Sequence, residues 1–444
     1  MPSAATTALE RLPDASRKAV ELMLIDLGFK KAKKSAVQAP VPPPANAQDD
    51  DEDDDNDDDD DEPPRKRRKG PSKYSKGPKH PLEHCDSSGR WYKRAGHAYH
   101  SFDDAAMHGA MQKWAPDEVD NMLMTGADED VEIHQRRVTA FERWYTQIGR
   151  LDKNLPAALE YLYAYKSKAW QALVTRISAR ATNQQTNDTR ESKDFTDAWL
   201  PDPHKDQLFP PVSTVSQAKP GRDKHHPATL RLLLSPVDRK LLPDLTFTAA
   251  DLNPELDLVS SDDATAFLEK VANNTFTFNL NTFASFLYFN WKEFNPADIL
   301  DGFLRGSIVV RTLRLEWIGL ARAVNGIKAG KSLPPKCKAR THRMYKVTAE
   351  MVAYAVCQAR TAMQEGQWSN VIGDFDYEAL YNGILDLFSS QTTRGKAWAE
   401  ETLAYLTQQV FGGHELPEDG DDMPAPKKTN AFALAMQQLA DVQE

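Results

Sequence analysis

Residues 156–180 read PAALEYLYAYKSKAWQALVTRISAR. Pro156 suits the first turn of a helix, where its missing N–H costs nothing. Behind it Leu159, Tyr161, Leu162, Tyr165, Trp170, Leu173, Val174 and Ile177 recur mostly every three or four residues, the spacing that lines one helical face with apolar groups. A long helix up to about residue 180 is therefore predicted. The same period extends on both sides, through 116–124 and 128–148, and downstream through about 227–234, 262–273, 281–290, 296–323, 348–364, 376–389 and 394–411. Ser261-Asp262 and Asn295-Pro296 supply start signals and Gly412-Gly413 a stop. Only NTFTFNLN at 274–281 alternates with the period of a strand, and a lone strand leaves its backbone groups unpaired. The expected fold class is mainly α, an irregular helical domain with a long disordered N-terminal tail and a short disordered C-terminal one.

That division comes from composition. Residues 49–62 read DDDEDDDNDDDDDE, thirteen carboxylates in fourteen positions, which repel one another and bury nothing. Without this run the net charge of −10 becomes about +3, so partners of the folded part need not be basic. The basic run Arg65, Lys66, Arg67, Arg68 and Lys69 follows between prolines, the form in which an import receptor reads a nuclear signal. Residues 14–31 predict a tethered helix within a segment 1–34, cut off by PVPPP at 40–44 and destined either to dock on the body or to recruit a partner. Beyond it the organisation expected is a linker at 35–96, a helical region at 97–180, a polar linker at 181–221, a helical domain at 222–413, and a charged tail at 414–444 with a short helix at 431–442. Three scattered cysteines exclude a disulfide framework and suit a reducing compartment. No run of eighteen apolar residues occurs and no secretory signal opens the chain, so a nuclear protein without membrane contact is expected.

Several blocks in the C-terminal half are similar to a domain family of unknown function from mushroom-forming fungi. They are GFLRGSIVVR at 302–311, KARTHRM at 338–344, VTAEMVAY at 347–354, QAR at 358–360, FDY at 375–377 and YN at 381–382, with HP at 226–227 and LLLSP at 232–236 upstream. The resemblance runs from near residue 222 to 413. It implies a helical domain behind a disordered N-terminus and carries over no catalytic residue. At Arg343 the family tends to have glycine, which questions whether a shared tight turn is kept there.

Other motifs have plain structural readings. NGIKAGKS at 325–332 half-matches a phosphate loop, but the position of Asn325 needs glycine and the preceding residues read as helix, so a flexible helix end is expected. His80, His84, Cys85, His97, His100 and His108 carry spacings suited to zinc, yet lack a CxxC knuckle, and Pro78 and Pro81 oppose a helix at the first pair. Asp298, Asp301, Asp374, Asp376 and Glu378 fall at helix starts rather than around a metal. Cys337, between Lys336 and Lys338, invites a depressed thiol pKa but has no base beside it in sequence. No catalytic residue, metal ligand or cofactor is assigned.

The segment 328–346 carries the strongest functional signal. Lys328, Lys331, Lys336, Lys338, Arg340, Arg343 and Lys346 fall between two predicted helices, interleaved with His342 and Tyr345, a pattern suited to phosphate contacts backed by stacking. The helix after it would add its N-terminal amides. The leading expectation is a nuclear, non-enzymatic protein that binds nucleic acid or chromatin through this segment, with the acid run meeting histones or the protein's own basic surfaces. The alternative is a protein-interaction scaffold whose terminal helices, 14–31 and 431–442, recruit partners without touching nucleic acid.

Overall fold

The computed structural model describes residues 3–30, 80–123, 128–200, 222, 225–240, 266, 269–271, 273, 275–278, 280–327 and 333–412. The two charged runs, Lys328, Lys331 and the expected helix at 431–442 lie outside them, as does most of 262–273.

Prolines and small polar caps set the helix starts, as the chemistry of unpaired N-terminal amides requires. In chain order the first half forms α1 (Ala4–Arg11), α2 (Asp14–Asp26), α3 (Pro81–Ala95), α4 (Phe102–Trp114), α5 (Pro116–Leu123), α6 (Asp128–Leu151), α7 (Leu155–Tyr165), α8 (Ser167–Asp194) and α9 (Thr196–Trp199). The second half adds α10 (Pro227–Leu233), α11 (Pro236–Arg239), α12 (Ser307–Trp317), α13 (Leu320–Asn325), α14 (Lys338–Thr341), α15 (Ala349–Ala362), α16 (Tyr377–Phe388) and α17 (Thr393–Phe411). One two-stranded hairpin, β1 (Val371–Ile372) with β2 (Phe375–Asp376), pairs Val371 with Asp376 and Ile372 with Phe375. The protein is mainly α.

One continuous core links both halves, from Ala19 in α2 to Phe411 in α17. Its largest fully buried side chains include Trp91, Trp144, Trp199, Trp317, Tyr354 and Tyr381, and burying one large apolar side chain stabilises by about 1.5–3 kcal/mol. Helix α3 lies along α8 and α4 along α6. Both crossings depend on a glycine: a Cβ on Gly89 would come within 2.7 Å of the Ile177 carbonyl, and one on Gly109 within 2.2 Å of Phe141 Cβ.

Several elements depart from the sequence expectation. The stripe at 156–180 is two helices, because Lys166 leaves helical geometry at φ −138°, ψ 54°. Helix α3 occupies the end of the expected 35–96 linker: Pro81 stands at its first turn, where proline favours a helix rather than opposing it, and His80 caps the Leu82 amide. Helix α8 runs past residue 180 to Asp194, because TNQQTNDTRESKD buries a polar face, Gln184, Asp188, Thr189, Ser192 and Lys193. The expected helix at 281–290 is extended chain around a 3₁₀ turn, Ser285–Leu287, with Tyr288 bridged to Phe303. The expected helix at 296–323 divides: 296–306 is turns, α12 starts only after Gly306, and Gly319 at φ 120° separates α12 from α13. The described residues 275–278 form no strand.

The N-terminal helix exists and is part of the body. Ala19, Val20, Met23 and Leu24 of α2 are buried, α2 packs on α7, and Tyr161 donates to the Ala5 carbonyl of α1 at 3.0 Å.

Candidate nucleic-acid interface

Between residues 333 and 348 inward and outward side chains are sorted by chemistry. Leu333, Cys337, Ala339, His342 and Val347 are buried, whereas Lys336, Arg343 and Lys346 are exposed. The inward groups fix the segment. The His342 carbonyl accepts from Gln147 of α6, its Nδ1 lies 3.4 Å from the Ser87 hydroxyl of α3, and the Val347 amide donates to Thr407 of α17 at 3.0 Å. His342 is thus a packing residue and not the stacking platform the sequence suggested. Tyr345 is half-buried.

The expected cations divide by use. Lys338 is half-buried and pairs with Glu191 of α8 at 3.4 Å, and Arg340 donates to the Leu333 carbonyl at 3.3 Å, closing its own loop. Arg343 adopts φ 52°, so the tight turn survives with an arginine in the conformation glycine prefers. Its guanidinium donates to the Arg150 carbonyl at 3.1 Å, at the end of α6. That contact sets the segment beside the α6–α7 corner, where Arg150 and Lys153 are exposed. These two are invisible as partners in sequence, since nearly two hundred positions separate them from Arg343. Asp152, between them, is half-buried and accepts from the Asn154 amide. The N-terminus of α15 adds little positive potential, because Glu350 in its first turn is buried there and paired with Arg143 at 2.6 Å.

Under this face lies a buried charge network. Arg94 of α3 pairs with Asp188 of α8, both side chains being 1% exposed. Asp188 also accepts from Tyr354 at 2.8 Å and Gln184 at 2.9 Å, Gln358 donates to the Tyr354 oxygen, and Thr189 donates to Gln358. Burial raises the Asp188 pKa, but the Arg94 guanidinium outweighs it and holds the carboxyl below its ordinary value. Glu316 of α12 is the exception. It is 2% exposed, neither carboxyl oxygen has a hydrogen-bond partner, and burial together with the nearby Asp188 charge pushes its pKa well above the usual 4.5. The sequence signal for Glu316 was its place in an apolar stripe; Asp188 gave none.

The remaining motifs resolve into structural roles. The histidines do not converge: His80 caps α3, His97 and His100 stack at 3.7 Å, and His108 meets His134 of α6. Among the described residues no cluster of three or more His, Cys, Asp or Glu side chains is placed to hold a metal. Arg137 can only donate to His108 Nε2 at 2.8 Å, so His108 Nδ1–H donates to His134 Nδ1 at 2.8 Å, which leaves His134 Nε2–H facing Gln112 Oε1 at 3.3 Å. Both rings are neutral in that chain, and burial first, then the Arg137 charge, lowers both pKa values. Asp298 pairs with Arg394, Asp376 caps the Ala379 amide and Glu378 accepts from Asn370. Cys337 is buried and its pKa is raised, mainly by that burial, opposite to the expected activation. Helix α13 ends at Gly326 (φ 71°), and no strand precedes 325–327 as a phosphate loop requires.

No curated protein and no solved structure gives a significant match to this chain. A family model does, over residues 179–411, beginning inside α8 and so including the Asp188 face together with α12, α14 and α15. The chain belongs to the family of unknown function DUF6698.

Proposed function

We propose that this protein is a nuclear, non-enzymatic binder of nucleic acid, with Arg150, Lys153, Lys336, Arg343 and Lys346 as its contact face. One observation carries the reading: buried residues hold the 333–348 segment rigidly while Arg343 docks on the Arg150 carbonyl, gathering exposed cations from two distant parts of the chain. A backbone already held in place lowers the ordering cost when its cations meet a phosphate backbone, and each contact releases counterions. Lys338 and Arg340 act beneath the face as supports. The run Arg65 to Lys69 supplies the address for an import receptor, and the resemblance to proteins of mushroom-forming fungi gives the setting.

The test is binding of the full chain to a fluorescent single-stranded oligonucleotide across a salt series, beside an Arg150→Ala, Arg343→Ala, Lys346→Ala variant. Each lost phosphate contact reduces the slope of log affinity against log salt by about 0.7, so the variant's slope falls by about 2. Equal slopes overturn the assignment of the face. A scaffold reading draws on Phe289 and Ile299, 67% and 46% exposed, since α2 is already used by the core. Binding that resists salt favours it.

A further inference from the structure

The acid run and the basic face belong to one molecule, and the structure fixes how far apart their anchors stand. The described chain stops at Lys30, four residues after α2, and resumes at His80, just before α3, and the end of α2 meets the restart: His80 Nε2 lies 3.4 Å from Asp26 Oδ2. His80 caps α3, and Ser87, two turns further along, touches His342, the residue before Arg343. Seven residues of helix advance about 10 Å. The end of α2 and the restart at His80 therefore lie together, about 10 Å along α3 from the Ser87–His342 contact beneath the face.

Resting on the nucleic-acid reading above, we propose that the carboxylates at 49–62 occupy the Arg150, Lys153, Lys336, Arg343 and Lys346 face in cis and thereby compete with nucleic acid. Eighteen residues, 31 to 48, separate Lys30 from the start of the run, and such a chain spans up to about 60 Å, far more than the distance required. A short tether between two binding partners gives effective concentrations of about a millimolar, enough for a weak electrostatic contact to be populated. Charge complementarity selects this occupant. The run carries thirteen negative charges, and pairing with all five cations at 65–69 still leaves eight for the face. Among the described carboxylates of the body, Glu350 pairs with Arg143, Glu191 with Lys338, and Asp152 accepts from the Asn154 amide. The polyanion and the run thus offer the same chemistry, a dense row of anionic oxygens, to the same cations.

Two measurements on the full chain test this. Zero-length carbodiimide coupling of dilute protein, mapped by mass spectrometry on a mixture of heavy- and light-isotope chains, reads the contact without any nucleic acid. Amide links from 49–62 to Lys153, Lys336 or Lys346 within one molecule, lost at about 0.5 M salt, are expected. Links only to Lys66 and Lys69, or only between molecules, overturn the proposal. Oligonucleotide binding by a variant with every Asp at 49–62 changed to Asn and every Glu to Gln is expected to tighten roughly tenfold at low salt. That gain disappears when Arg150, Arg343 and Lys346 are also alanine; a gain that persists means general repulsion and overturns the cis contact. If the links form while no version of the chain binds the oligonucleotide, the cis contact stands and the nucleic-acid reading falls.

Discussion

Glu316→Gln isolates a carboxyl that, alone among the described residues, is buried with neither oxygen hydrogen-bonded. In the unfolded chain Glu316 ionises near its ordinary value of 4.5, whereas in the folded protein burial and the Asp188 charge keep its proton on well above that. Between those two pKa values the native state holds one more proton than the unfolded state, so stability falls by about 1.4 kcal/mol for each pH unit gained. The sign follows from the raised pKa: this contribution is fully present below 4.5 and is lost as pH rises through the folded value. Glutamine keeps the volume and neutrality of the protonated acid and removes the titration. Any cost of placing an amide there is a fixed offset and does not depend on pH. The expected result is that the stability of Glu316→Gln, measured as the urea midpoint by tryptophan fluorescence from pH 4.5 upward, gains on that of the natural chain by about 1.4 kcal/mol per pH unit until the folded pKa is passed. Titrating groups that do not interact with Glu316 cancel in the difference. Parallel profiles for the two chains would refute the reasoning, since they would mean that Glu316 ionises alike in both states.

Three further outcomes are expected. Asp188→Ala leaves Arg94 buried and unpaired and lowers unfolding free energy by about 3–5 kcal/mol in urea titration. Arg343→Gly relieves the left-handed backbone, leaving stability unchanged or raised by up to about 1 kcal/mol, while oligonucleotide affinity falls; loss of both together would show that the arginine is needed for packing. His108 and His134 have depressed pKa values, so the stability they protect is present above the ordinary 6.5 and is lost as pH falls below it. His108→Gln therefore flattens the acid side of the stability profile, read from urea midpoints between about pH 6.5 and 5.

Helices with apolar periodicity were legible in the sequence: 348–364, 376–389 and 394–411 all form within a residue or two of their expected ends. Caps account for that accuracy, since Thr348, Asp376 and Thr392 each accept from the amide of the third residue along. The polar half of α8 was illegible, because its buried face consists of Gln184, Asp188, Thr189 and Lys193, polar residues held in part by Arg94 on α3 and the Gln364 carbonyl, which leave no apolar period. The break of 296–306 was hidden for a similar reason. Gly306 is required by the Phe286 carbonyl, 2.0 Å from where a Cβ would stand, and that is a tertiary contact. At the candidate face, charge spacing singled out the segment as a candidate but could not divide its cations. Whether a lysine is exposed like Lys346 or committed like Lys338 depends on Glu191, which approaches only when α8 is in place.

The docking of α1 and α2 on α7 changes what it means to shorten this protein from its N-terminus. The acid run sits inside the fold's connectivity as an insertion, with core residues Val20 and Met23 before it and Leu82 and Cys85 after it. A truncated chain that begins at residue 80 discards those side chains and uncovers the apolar side of α7, inviting aggregation that would be mistaken for an effect of losing the acid run. Excising 31–79 and rejoining the flanking residues with a short glycine-serine bridge keeps the seam at Asp26 and His80 closed. By the same geometry, a protease cut within the excursion severs the backbone without releasing the first helices, and the nicked halves are expected to remain a single particle by gel filtration.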